Sequence, residues 1–142
     1  MGSPFEGWGR LLSHHGPQEA HHSYRIRWRR WEVALCARCL ALYPTLIAVV
    51  ILEAELGRLF SWYRWFISAS LITPAVIDWS RSRLFGAPGS NRTRSVTGAL
   101  AGLGLGLAFS DYFQDSNPTW FWVLMGVLAV LILLVWSRRP VR

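Results

Sequence analysis

Trp31-Glu32-Val33-Ala34-Leu35-Cys36-Ala37-Arg38-Cys39-Leu40-Ala41-Leu42-Tyr43-Pro44 marks the point where an arginine-rich segment gives way to mostly apolar residues that continue to Leu52. A helix of ~20 apolar residues is long enough to cross a bilayer. The same stretch holds both cysteines of the chain. Their i, i+3 spacing puts both sulfurs on one helix face, within reach of a single metal ion or of each other. Fold and candidate chemistry are therefore read from the same residues.

Beyond Val33 to Leu52, three further apolar stretches have spanning length: Phe60 to Ile77, Val96 to Phe113, and Thr119 to Trp136. Composition agrees, because 52% hydrophobic content and nine Trp occur together with a formal charge of +7. That combination fits a membrane protein with basic flanks better than a soluble core. At 142 residues the chain is read as one domain. The expected fold is an all-α membrane protein, a four-transmembrane-helix bundle with short connections, antiparallel neighbours and a short N-terminal hairpin or surface segment. Residues 1–32 would form a cytoplasmic arm, 33–137 the transmembrane domain and 138–142 a basic tail. No signal-peptide pattern is read in the first thirty residues, so the first span is expected to be retained. Only the fourth stretch lacks ionisable and strongly polar groups, and it is expected to face lipid.

Charge placement sets the orientation. All fifteen basic residues are Arg. Arg10, Arg25, Arg27, Arg29 and Arg30 precede the first stretch; Arg81, Arg83, Arg92 and Arg94 lie between the second and third; Arg138, Arg139 and Arg142 follow the fourth. The other two connections hold only Arg58, against Glu53, Glu55 and Asp115. Arginine-rich flanks stay on the cytoplasmic side, which predicts an inner-membrane protein with both termini and the central loop inside. Trp28, Trp31, Trp62, Trp65, Trp79, Trp120 and Trp136 fall near the ends of the stretches, where interfacial rings are favoured.

Tyr24, Ile26 and Trp28 alternate with Arg25, Arg27 and Arg29, and Trp31, Val33 and Leu35 resume the alternation. A period of two favours a hairpin that delivers the chain to Cys36 over a helix through the same residues. Gly98, Gly102 and Gly106 repeat at four-residue steps, with Gly104 beside them, a pattern that allows close approach of another helix. A dinucleotide-binding reading of these glycines fails for want of a βαβ context. Nucleic-acid binding is disfavoured because the arginines distribute as topology determinants.

On this topology Cys36, Arg38, Cys39, Asp78, Ser90, Asn91 and Arg94 converge at the inner face. Two thiolates with His21 or His22 would suit tetrahedral zinc. Alternatively, Arg38 and the helix N-terminus favour a thiolate for nucleophilic or redox chemistry, or the cysteines only pack. A cytoplasmic position disfavours a permanent disulfide. His14 and His15 share the arm with weaker claims. Asp78 needs a partner at its depth, with Arg38 or Arg94 available, and is the candidate general base or a further metal ligand. Asn91 and Arg94, with Arg38, would hold an anionic group at a helix start, although an N-cap by Ser90 or Asn91 explains part of the pattern. Asn91-Arg92-Thr93 matches a glycosylation sequon, which a cytoplasmic loop discounts. Arg64 and Asp111 would pair as a brace at the opposite end.

Cys36-Ala37-Arg38-Cys39 with Tyr43, Pro74 to Asp78, and Ser90-Asn91 with Arg94 and Thr97-Gly98 form an ordered set spanning roughly His21 to Gly106. In this set the chain resembles a family of small, mostly prokaryotic predicted membrane proteins whose domain has no assigned function. In that family a Gly often replaces Ala41 and Trp79, and Cys-His often stands where His21-His22 stand here. The resemblance implies one shared site and no particular reaction. Candidate catalytic residues are thus Cys36, Cys39 and Asp78, with Arg38, Asn91 and Arg94 for substrate and Cys36, Cys39, His21 and His22 for metal. The leading expectation is metal- or thiol-dependent chemistry on an anionic lipid or isoprenoid at the inner face. The rival is a non-enzymatic subunit of a larger membrane complex with a structural metal, and the glycine face also allows a homo-oligomer. A transporter is disfavoured because no ionisable residue falls at mid-depth in the four stretches.

Overall fold

The structure is a computed structural model that describes residues 23–28, 31–57, 63–86, 90–115 and 118–138. Two strands, β1 (Ser23–Trp28) and β2 (Trp31–Cys36), precede four helices: α1 (Ala37–Leu56), α2 (Arg64–Phe85), α3 (Asn91–Gln114) and α4 (Thr119–Ser137). The strands pair antiparallel, with Ser23 opposite Cys36 and Trp28 opposite Trp31. Three of the helices, α1, α3 and α4, are long and apolar enough to cross a membrane. The second, α2, has the length, but Ser68, Ser70, Thr73, Asp78, Ser80, Arg81, Ser82 and Arg83 make it more polar.

Helix boundaries differ from the apolar runs in an informative way. The first helix begins at Ala37 rather than Val33, because Val33 to Cys36 pair with β1 instead of entering the helix. The second runs to Phe85, so Asp78 does not close it but lies two turns inside. Backbone hydrogen bonding favours continuation of the helix through Arg81 and Arg83, whose long side chains can reach the polar interface. Gly86, at φ 60, then ends it in the left-handed conformation that glycine tolerates. Ser90 caps α3, its Oγ accepting from Thr93 N at 3.1 Å.

Sequence neighbours are not the principal packing partners. Instead α3 lies at the centre, with α1 packed along one face and α2 along another. Gly98, Gly102 and Gly106 form the α1-facing groove. A Cβ at Gly98 would collide with Arg38 O, one at Gly102 with Thr45 Oγ1 and Leu42 O, and one at Gly106 would lie 2.7 Å from Val49 Cβ. Both sequence numbers increase together along this contact, so α1 and α3 run parallel. Gly104 faces the other way, where a Cβ would sit 2.7 Å from Ser68 O. Such backbone-to-backbone approach is the main source of association between helices in lipid, where no hydrophobic force separates helix from solvent. Thr45 joins the contact by reaching Ala99 O at 3.3 Å.

The fourth helix is attached more lightly. Phe121 is its only buried residue. Its ring packs between Phe109 and Tyr112 of α3, with centroids at 5.3 and 4.9 Å. At the other end, the Arg83 guanidinium stands 4.7 Å from the Trp136 ring centroid, a cation–π contact. Val123, Val127, Val130, Leu133 and Leu134 are all exposed, in keeping with a lipid-facing role.

Candidate functional site at the Cys36 end

Four elements bring polar side chains to the end of the bundle where β2 meets α1. Cys36 is the last residue of β2 and the N-cap of α1, and Cys39 is the third residue of the helix. Neither is in a disulfide; Cys36 is buried and Cys39 partly exposed. The i, i+3 spacing puts both at the start of α1.

Arg38, between the cysteines, reaches across to α2 and pairs with Asp78 Oδ2. Of the two partners expected for Asp78, Arg38 is therefore the one it has. Arg94, buried in α3, instead donates to Ser82 Oγ on α2 at 3.1 Å. Ser82 lies one turn beyond Asp78 on the same helix, so the two α2 residues hold one arginine from each neighbouring helix. Ser95 donates to Ala37 O at 3.3 Å and meets Tyr24 OH at 3.4 Å, tying α3 to the start of α1 and to β1. Asn91 is the first residue of α3, and its Oδ1 is buried with no hydrogen-bond partner. Arg38 Nε is likewise buried without an acceptor. Exposed Arg81 and Arg92 add positive charge at the rim.

Arg38 and Asp78 thus form one pair and Arg94 and Ser82 a second one turn away along α2, while Asn91 sits one turn before Ser95 on α3. His21 and His22 lie outside the described residues, as do His14 and His15. Among the described residues, no group of three or more His, Cys, Asp and Glu stands close enough to hold a metal ion. Two thiols supply half of a tetrahedral zinc set. Tyr24, Ser82 and Ser95 were not singled out from sequence. The position of Ser82 four residues after Asp78 was the available signal.

A second polar cluster occupies the opposite end. Arg64 binds Glu53 at two points, Nη1 to Oε1 at 2.9 Å and Nη2 to Oε2 at 2.6 Å. It binds Asp111 through Nε to Oδ2 at 2.9 Å, and Leu107 O through Nη2 at 3.1 Å. The expected Arg64–Asp111 brace is present. Glu53, however, belongs to α1 and is fully buried rather than part of a connection.

Residues 17–109 match the family model described as Predicted membrane protein (DUF2085). The chain belongs to that family. It is a membrane protein, and the matched segment includes both strands, α1, α2 and most of α3, hence every residue of the Cys36 cluster. No curated protein and no solved structure matches the chain.

Proposed function

We propose that the chain is a four-span inner-membrane protein with both termini cytoplasmic, which binds an anionic lipid-like or isoprenoid substrate at its inner end. In this reading α2 is the fourth span, with Asp78 turned toward α1 and Ser82 toward α3, and the paired strands lie on the membrane surface. The observation that carries the reading is the union of Arg38, Asp78, Ser82 and Arg94 into one three-helix polar cluster beside two thiols. Asp78 holds one guanidinium in place, and the exposed arginines draw an anion toward the cluster. Asn91 Oδ1 can accept from a hydroxyl or a protonated phosphate oxygen of the ligand. Cys36 and Cys39 are then the groups placed to react with what is bound, directly as thiol or through a metal completed by His21 or His22.

The test is binding of a short isoprenyl phosphate to detergent-purified protein, beside the corresponding isoprenol. The phosphate is expected to bind at least tenfold more tightly, with the preference lost in Arg38→Ala and reduced in Asn91→Ala. Equal binding of alcohol and phosphate would overturn the reading. The uncovered apolar face of α4 favours a second one, an accessory subunit docked on a larger membrane complex. Stoichiometric co-purifying subunits in mild detergent would support it.

A further inference from the structure

We propose that the seam between α2 and α4 binds one anionic phospholipid of the inner leaflet, with its phosphate on Arg83 and an acyl chain lying against α4. The site is separate from the Arg38 cluster. It shares with the reading above only the placement of this end of the bundle at the inner face.

Arg83 lies close to the end of α2, and Trp136 is the residue before the last of α4, so both stand at the same end of the molecule. The Arg83 guanidinium rests against the Trp136 ring. Its Nε is nevertheless buried with no acceptor among the described residues, and no carboxylate among them pairs with it. A buried donor without an acceptor costs stability. A guanidinium presents its N–H groups as a planar fork that matches two oxygens of a phosphate at once. Exposed Arg138, just beyond Trp136, adds a second positive charge at this level, while Asp78 of α2 is engaged by Arg38. An anionic head therefore meets two cations and no free carboxylate of α2. A zwitterionic head brings its own ammonium and loses part of that attraction.

The apolar half of the site follows from the way α4 is attached. Phe121, Met125, Leu128, Ile132 and Val135 recur at steps of four and three residues and share one side of the helix. Phe121 is 4% exposed, whereas Ile132 on the same stripe is 46% exposed. The helix is thus held at Phe121 and at Trp136 and stands open between them, near Ile132. On α2, Val76 and Trp79 share the Arg83 side and are half-buried. A seam at bilayer depth, closed at its inner end by a cation, suits a hydrocarbon chain that carries a negative head. Acyl chains are as apolar as the side chains they meet, so the tail adds contact and the head supplies the selection.

The experiment adds equal amounts of phosphatidylglycerol and phosphatidylcholine to full-length protein in mild detergent, and native mass spectrometry reads the lipid retained. The wild type should keep one phosphatidylglycerol with a preference of about fivefold, the effect of one arginine beside an anionic head. Arg83→Gln should abolish the preference, and Arg83→Lys, which keeps the charge, should retain part of it. Arg81→Gln, on another side of α2, and Arg38→Ala should leave it unchanged. Ile132→Trp fills the seam and should lower retention of both lipids. Equal retention of the two lipids by the wild type would overturn the proposal. So would equal loss in Arg81→Gln and Arg83→Gln, the mark of a general attraction to a basic rim. Loss in Arg38→Ala but not in Arg83→Gln would move the lipid to the Arg38 cluster and overturn this site while sparing that one. Displacement of the lipid by inorganic phosphate, or full retention in Ile132→Trp, would overturn the role of the acyl chain.

Discussion

Glu53 of α1 and Arg64 of α2 face each other across two nearly parallel hydrogen bonds, with exposures of 1% and 4%. Helix dipoles do not explain the arrangement. Glu53 and Asp111 lie in the last turns of their helices, and Arg64 is the first residue of its own, so each charge opposes the dipole of its helix. What holds the three together is their mutual pairing. Arg64→Leu removes the guanidinium that both buried carboxylates share, and the expected loss of stability is about 3–5 kcal/mol. Replacing Glu53, Arg64 and Asp111 together with apolar residues of similar size should recover most of that loss. Unfolding of detergent-solubilised protein checks both; a single variant no less stable than the triple would contradict the account.

Arg38 and Asp78 should behave differently, because their side chains are 18% and 16% exposed. Partial hydration weakens the attraction, and a double-mutant cycle with Arg38→Ala and Asp78→Ala is expected to give a coupling of about 1 kcal/mol. The larger effect of Arg38→Ala should fall on anion binding rather than on stability. The cycle is measured by thermal unfolding, and the same variants are then assayed for isoprenyl phosphate.

The glycine groove offers a test of packing. Gly98→Ala and Gly102→Ala each place a methyl group against α1 backbone, and the expected cost is about 1–3 kcal/mol. Gly126→Ala in α4 meets nothing within 4 Å and should be neutral or slightly stabilising through helix propensity. Parallel melting curves for the three variants make the comparison.

Orientation is testable without activity. In a Cys36→Ser/Cys39→Ser background, Asp115→Cys should react with a membrane-impermeant maleimide added to intact cells, and Gly86→Cys should react only after the membrane is permeabilised. The reverse pattern would overturn the proposed topology, through inversion or because α2 does not cross. Reaction of both in intact cells would show that α3 does not cross.

The apolar runs and the four-residue glycine repeat made the helices and the α3 groove legible in the sequence. The need of Asp78 for an arginine was legible too, with the choice between Arg38 and Arg94 left open. Glu53 was not legible. It stands at the end of an apolar run, where a carboxylate reads as part of an aqueous connection, and only the arrival of Arg64 from the next helix explains its burial. Asp78 looked like a helix terminus for the same reason, with Arg81 and Arg83 marking the start of water rather than the end of the helix. Hydropathy locates the membrane, whereas backbone hydrogen bonding decides where a helix stops. The central position of α3 was also hidden, since chain order suggested sequential neighbours and the glycine faces selected others.

The light attachment of α4 bears on evolution and on parity. The family match ends at residue 109, before α4 begins, and Phe121 is that helix's one buried residue. On the proposed topology, α1 to α3 cross the membrane an odd number of times and would leave the chain outside the cell. The fourth crossing makes the number even, so a helix that contributes little to the packed kernel decides the compartment in which the tail from Arg138 onward resides. Loss or gain of such an appendage could relocate a tail without disturbing the cysteine end.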